Sequence, residues 1–280
     1  MSPPDLCRPQ TARAVARRFG VSPSRELGQS FLVDREVRDA IAARADAAEA
    51  VIEIGPGLGA LTQGLLALGR QVVAVEFDPR CVAALGLLGH EPGLRVVQAD
   101  ILRCHPADLG LGRATVMGNL PYGITGAVLG HVLSWAPAPA ACHFLVQREV
   151  ARRLAAPAGG WSLATLAVRL RAEVELGFDV APSAFWPPPR VHSSLVSLTP
   201  TGELPADQER RLLDLARVVF QSRRKQLHHG VARALAVEPA AAAEWLRSLG
   251  LDPQRRPGSL ELAEWRLLLA QDPPGRSPIG

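Results

Sequence analysis

Short apolar runs alternate with amphipathic stretches through the first part of the chain. Residues 50–54, 71–75, 94–97, 114–117 and 141–146 are apolar and bounded by Gly, Pro, Asp or Glu, which suits buried strands. Between them, residues 60–68, 79–88 and 125–135 space their apolar positions as helices do, and 34–45 does so ahead of the first run. Asp34 is placed to cap the helix of 34–45. Strands alternating with helices predict an α/β fold, a mainly parallel sheet with helices on both faces. A short basic helix is expected at 10–22, ending near Gly20. Residues 161–178 fit either helix or strand, the proline run at 186–190 fits neither, and 191–198 alternates like a late strand. From 202 the character changes to Arg, Leu and Ala at helical spacing, over 209–220, 223–236, 240–249 and 260–270. The expected organisation is a catalytic domain over 1–201 and a small all-helical domain over 202–280, with a disordered tail from Asp272.

Composition narrows the class. A chain of 280 residues with 48% hydrophobic residues can fill a sizeable core. The net charge of +4 permits a polyanionic partner without requiring one. Lys225 is the only lysine, so the basic side is almost all arginine, which contacts phosphates in a planar, bidentate way. Cys7, Cys81, Cys104 and Cys142 are widely spaced, and neither a zinc pattern nor a disulfide framework emerges. No signal peptide and no membrane-spanning apolar run is evident, which points to a reducing cytoplasm.

The candidate chemistry lies where strands end. Glu53-Ile54-Gly55-Pro56-Gly57-Leu58-Gly59 follows the first strand, and glycines there let backbone approach a ligand. Gly55, Gly57 and Ala60 also fit the looser dinucleotide fingerprint, so the glycines alone leave a nucleotide-dependent dehydrogenase open. Glu76 ends the next strand, where a carboxylate can accept ribose hydroxyls, and Asp100 follows the third, within reach of an adenine amino group. Asn119-Leu120-Pro121-Tyr122 follows the fourth. Its residue types suit holding a flat, amino-bearing base, although Asn and Pro also serve plain turns. Tyr122 is the only tyrosine.

The glycine loop, Glu76 and Asp100 together resemble class I S-adenosylmethionine-dependent methyltransferases, a Rossmann-like fold. With Asn119 to Tyr122 added, the chain resembles the ribosomal RNA adenine N6-dimethyltransferase family. Further resembling stretches are Leu27-Gly28-Gln29-Ser30-Phe31-Leu32, 144–154, Phe185-Trp186-Pro187-Pro188-Pro189-Arg190-Val191 and Phe220-Gln221-Ser222-Arg223-Arg224-Lys225. The resemblance implies S-adenosylmethionine as cofactor, held by Ser30, Leu32, Glu53, Gly55, Gly57, Glu76, Asp100 and Asn119. It implies a catalytic set of Asn119, Leu120, Pro121, Tyr122 and Phe185, with Tyr122 and Phe185 as walls around the target base. Apart from the resemblance, the basic residues Arg148, Arg190, Arg223, Arg224 and Lys225 are the candidate RNA contacts, and no metal and a monomer are expected. The branch the resemblance leans to dimethylates two adjacent adenines near the 3′ end of 16S rRNA in the immature small ribosomal subunit. Methylation of 23S rRNA, conferring macrolide resistance, and a non-catalytic RNA-binding factor on the same fold remain alternatives. The chain departs from its relatives at Ser30, where Asn or His is usual, and at Trp161-Ser162, where Tyr-Gly is usual.

Overall fold

The structure is a computed structural model and describes residues 4–23, 29–45, 50–89, 91–202 and 204–270. Leu27 and Gly28 of the resembling stretch 27–32, and the tail from Asp272, lie outside the described residues.

The chain runs α1 (Pro9–Arg18), β1 (Phe31–Leu32), α2 (Arg35–Ala42), β2 (Ala50–Ile54), α3 (Ala60–Ala67), β3 (Gln71–Glu76), α4 (Pro79–Leu85), β4 (Leu94–Gln98), β5 (Thr115–Asn119), α5 (Thr125–Val132), β6 (Cys142–Gln147) and α6 (Arg148–Ala155). It continues with α7 (Leu163–Arg169), β7 (Ala172–Val180), β8 (Phe185–Trp186), β9 (Ser193–Pro200), α8 (Ala206–Phe220), α9 (Leu227–Leu235), α10 (Pro239–Ser248) and α11 (Leu262–Ala270). A seven-stranded sheet has the order β4-β3-β2-β5-β6-β9-β7. Its first five strands are parallel, and β9 runs antiparallel to β6. Branched apolar side chains set this sheet: Val51, Ile52, Val72, Val75 and Val116 are all at most 2% exposed. Burying each is worth roughly 1.5–3 kcal/mol. Asp34 does cap α2, accepting from Val37 N at 3.1 Å, and Asp78 caps α4 through Arg80 N at 2.9 Å.

Two compact units divide the chain: 1–152 with 173–200, and 153–172 with 201–280. The division differs from the break expected at 201, because residues 153–172 join the helical unit. Trp161, Leu166 and Leu170 share a buried core there with Leu212, Val219, Leu246 and Trp265. Apolar spacing around 161–178 could not show which core those side chains enter.

Three local readings are corrected. Trp186, expected in the irregular proline run, instead ends a short strand, Phe185–Trp186, which pairs antiparallel with β1, Leu32 opposite Phe185 and Phe31 opposite Trp186. A two-residue strand tolerates the prolines that follow it. Residues 148–155, left without an element by the sequence reading, form α6. Residues 223–226 form a turn instead of beginning a helix; α9 starts at Leu227, whose N–H donates to Arg255 O at 2.7 Å. Among the described residues no helix is long and apolar enough to cross a membrane.

Candidate active site

The sheet order reverses beside β2, since β3 lies on one side of it and β5 on the other. Open sheets of this kind bind ligands at the carboxyl edge of such a switch point. A cleft opens there, lined by residues 29–32, the glycine loop, Glu53, Glu76 and Asn119 to Tyr122.

The glycine loop owes its path to backbone that L side chains rarely adopt: φ is +64° at Gly55, +59° at Gly57 and +94° at Gly59. At Gly57 a Cβ would also lie 2.8 Å from the Phe31 ring. Glu76 closes the loop from the side. Its Oε2 accepts from Gly57 N at 3.0 Å, and its Oε1 from Phe77 N at 2.8 Å and Asp78 N at 2.9 Å. Each carboxylate oxygen can take further donors, so Glu76 is an oriented acceptor already satisfied by backbone.

Glu53 stands on the adjacent strand in a different state. It is 1% exposed, and Thr62 Oγ1 donates to its Oε2 at 2.6 Å. Burial pushes its carboxyl up to about 7; the Thr62 bond opposes the shift and the Glu76 charge adds to it. Asp100 caps the turn after β4, accepting from Leu102 N at 3.0 Å, and it is not among the residues lining the cleft.

Asn119 ends β5, half-buried. Its neighbour Gly118 packs so closely that a Cβ would meet Ile54 O at 2.5 Å. The Asn119 Nδ2 donates to Ser30 O at 2.8 Å. A peptide oxygen can only accept, so the amide nitrogen must face Ser30, which leaves Oδ1 as the open acceptor among the described residues. Leu120 is buried, and its N–H donates to Leu145 O at 3.0 Å. The Pro121 carbonyl already accepts from Ile124 N at 3.2 Å and Thr125 Oγ1 at 3.2 Å. Tyr122 lines the cleft with its hydroxyl 3.1 Å from Ser193 Oγ, and burial raises its phenol above the ordinary tyrosine value.

The expected second aromatic wall is not brought to the cleft. Phe185 is 4% exposed in the core, paired with Leu32 and absent from the lining residues. The strand pairing of 31–32 with 185–186 holds it there, a contact that no local pattern reveals. Ser30 and Leu32 do line the cleft. So do residues the sequence reading did not assign: Gln29, Phe31, Leu58, Leu61 and Cys81. The signal for Phe31 was its place between two assigned positions. Cys81 lies just beyond Glu76, and burial, with the Glu76 and Asp78 charges, pushes its thiol up to about 12.

The expected RNA-contact arginines differ among themselves. Arg148 lies 3.8 Å from Asp179 and Arg152 lies 3.1 Å from the same carboxylate. Arg190 is exposed. In the helical unit, Arg223, Arg224 and Lys225 are exposed in the turn before α9. Among the described residues no group of His, Cys, Asp and Glu could hold a metal ion.

A family model described as ribosomal RNA adenine dimethylase matches residues 22–261. Proteins named ribosomal RNA small subunit methyltransferase A are similar over nearly their whole length. The Dehalococcoides mccartyi (strain CBDB1) protein is 36% identical, covering 92% of this chain and 91% of its own. The Nocardia farcinica protein is 38% identical, covering 95% of each. Among solved structures, the 23S rRNA methyltransferase ErmE superposes with a TM-score of 0.68 at 27% identity, over 86% of this chain and 98% of its own. A dimethyladenosine transferase from Plasmodium falciparum superposes at 0.72 and 24% identity, over 86% and 96%. The chain belongs to the ribosomal RNA adenine dimethylase family.

Proposed function

We propose that this protein transfers methyl groups from S-adenosylmethionine to N6 of adenines in ribosomal RNA, and that its substrate is the immature small ribosomal subunit. The observation that carries the chemistry is the orientation of Asn119. Its amide nitrogen is tied to Ser30 O, so an open carboxamide oxygen ends β5 beside the glycine loop.

The cleft fits the cofactor by its donor set. Glu76, fixed by backbone N–H groups, offers acceptor capacity to a ribose. Gly55 and Gly57 leave room for backbone to approach the ligand, and Phe31 with Leu32 covers it. Phe77, directly after Glu76 and 74% exposed, presents an apolar ring to a flat base. Asp100, at the next strand end but outside the cleft lining, keeps the place that the family resemblance gives to an acceptor for an adenine amino group. S-adenosylmethionine, when bound, supplies a methyl group that its sulfonium already makes electrophilic.

The harder task belongs to the protein, because the adenine amino group is planar and its lone pair is delocalised into the ring. Asn119 Oδ1 accepts one amino hydrogen. For the second acceptor there are two candidate carbonyls, Leu120 O and Pro121 O, and the hydrogen bonds they already hold favour one of them. Pro121 O already holds two hydrogen bonds, while among the described residues none reaches Leu120 O. Leu120 O is therefore assigned the second hydrogen. Two fixed acceptors favour a pyramidal nitrogen with its lone pair turned toward the donor, and they stabilise positive charge developing there. Tyr122 supplies a stacking face worth about 1–3 kcal/mol for an extruded base. Arg223, Arg224 and Lys225, exposed in their turn and without an ion pair among the described residues, are placed to meet phosphates, a contact that weakens as salt rises.

The relatives named for the small subunit favour that substrate, and the likeness to ErmE supports a 23S substrate as the second reading. Methyl incorporation into immature small and large subunits, followed by mass spectrometry of the adenines, tests both. Dimethyladenosine in small-subunit RNA is expected. Label confined to the large subunit would favour the second reading, and label in neither would overturn both.

A further inference from the structure

We propose that Ser193 is a positioning residue for methyl transfer: its hydroxyl holds the outer end of the Tyr122 ring, and so fixes the face against which the target base stacks. This role rests on the reading of the cleft as a methyl-transfer site. It extends that reading to a residue 71 positions away in sequence.

Tyr122 sits in a turn just past β5, not in a strand or helix. The turn is tied at Pro121 O, which holds the backbone but leaves the side-chain torsions to be set by the ring's surroundings. At the far end of the ring the hydroxyl meets Ser193 Oγ at 3.1 Å. That partner is rigidly mounted. Ser193 opens β9 opposite Gln147 of β6, and Arg148 N donates to His192 O at 2.9 Å just before it. Ser194 Oγ, just after it, donates to Asp179 Oδ1 at 2.5 Å, and Asp179 is held in turn by Arg152. Ser193 is 1% exposed, so its hydroxyl would be costly to bury without a partner. The pair gives each hydroxyl a partner and pins a two-torsion ring at both ends. Phenylalanine would offer the same stacking face without that anchor.

Because Tyr122 is the only tyrosine, carbon-13-labelled tyrosine gives ring signals from this residue alone. In the full-length protein, Ser193→Ala should move the Cζ signal, which reports the hydroxyl's hydrogen bond. It should lower kcat/KM for the RNA by about two- to tenfold, the worth of one hydrogen bond, while S-adenosylmethionine affinity stays unchanged. Tyr122→Phe should lose a similar factor, and the double variant should lose no more than either single one. Ser193→Thr, which keeps the hydroxyl, should restore the signal and the rate. An unmoved Cζ signal in Ser193→Ala, or losses that multiply in the double variant, would overturn the role of Ser193 even with methyl transfer intact. A wild-type protein inert toward RNA, with the Cζ shift still present, would instead overturn the reading of the cleft and this role with it.

Discussion

The two sides of the cleft are held in place by different means. At the ends of β2 and β3, the structure is local and made of backbone: three glycines with positive φ and a carboxylate clasped by the amides of Gly57, Phe77 and Asp78. At the end of β5, the same job is done by side chains reaching across the fold. Asn119 is tied to Ser30, 89 positions away, and Tyr122 to Ser193, 71 positions away. A ligand common to many enzymes can be met by a rigid turn. On the proposed reading, the target base is met by groups whose placement depends on several separate segments.

The sharpest way to separate the two sides is Asn119→Ala. If Oδ1 orients the amine, single-turnover methyl transfer should fall by about 10²–10³, the usual cost of deleting one preorganised hydrogen-bonding group. RNA binding should persist. Undiminished transfer would remove Asn119 from the chemistry and leave the side built on β5 without its central residue.

The cofactor side carries its own internal contrast, and one type of substitution exposes it. Glu53 is buried, with Thr62 donating to it, and its carboxyl holds a proton up to about 7 against 4.5 in the unfolded chain. Between those values the folded state binds more protons, so stability falls as pH rises; the cost is absent below the unfolded value and complete above about 7. Glu53→Gln should abolish that slope and gain up to about 3 kcal/mol in unfolding experiments above neutrality. A melting profile that keeps its decline from acid to neutral pH would show that Glu53 is not the group responsible.

Glu76→Gln should act in the opposite direction. An amide there would set its NH₂ against a backbone N–H that now donates to the carboxylate. S-adenosylmethionine affinity, followed by calorimetry, should weaken by about 2 kcal/mol. Unchanged S-adenosylmethionine affinity in Glu76→Gln would erase the distinction between an acceptor prepared by backbone and a carboxyl kept neutral by burial.

Most of the fold was legible in the sequence because it is written in local alternation. The strands at 50–54, 71–76 and 94–98, the cap at Asp34 and the helical end of the chain follow from apolar period, flanking Gly and Pro, and capping residues. The family motifs likewise sit in short continuous stretches, so the glycine loop, Glu76 and Asn119 to Tyr122 could be singled out without coordinates. Long-range packing lay beyond that reach. The pairing of 31–32 with 185–186 buries Phe185 and removes it from the cleft wall. The core around Trp161 draws residues 153–172 into the helical unit. The proposed preference for Leu120 O over Pro121 O rests on which carbonyl a turn has already engaged. Local pattern records which face of a segment must be buried, but not against what, and hydrogen bonds between segments far apart in the chain leave no period behind.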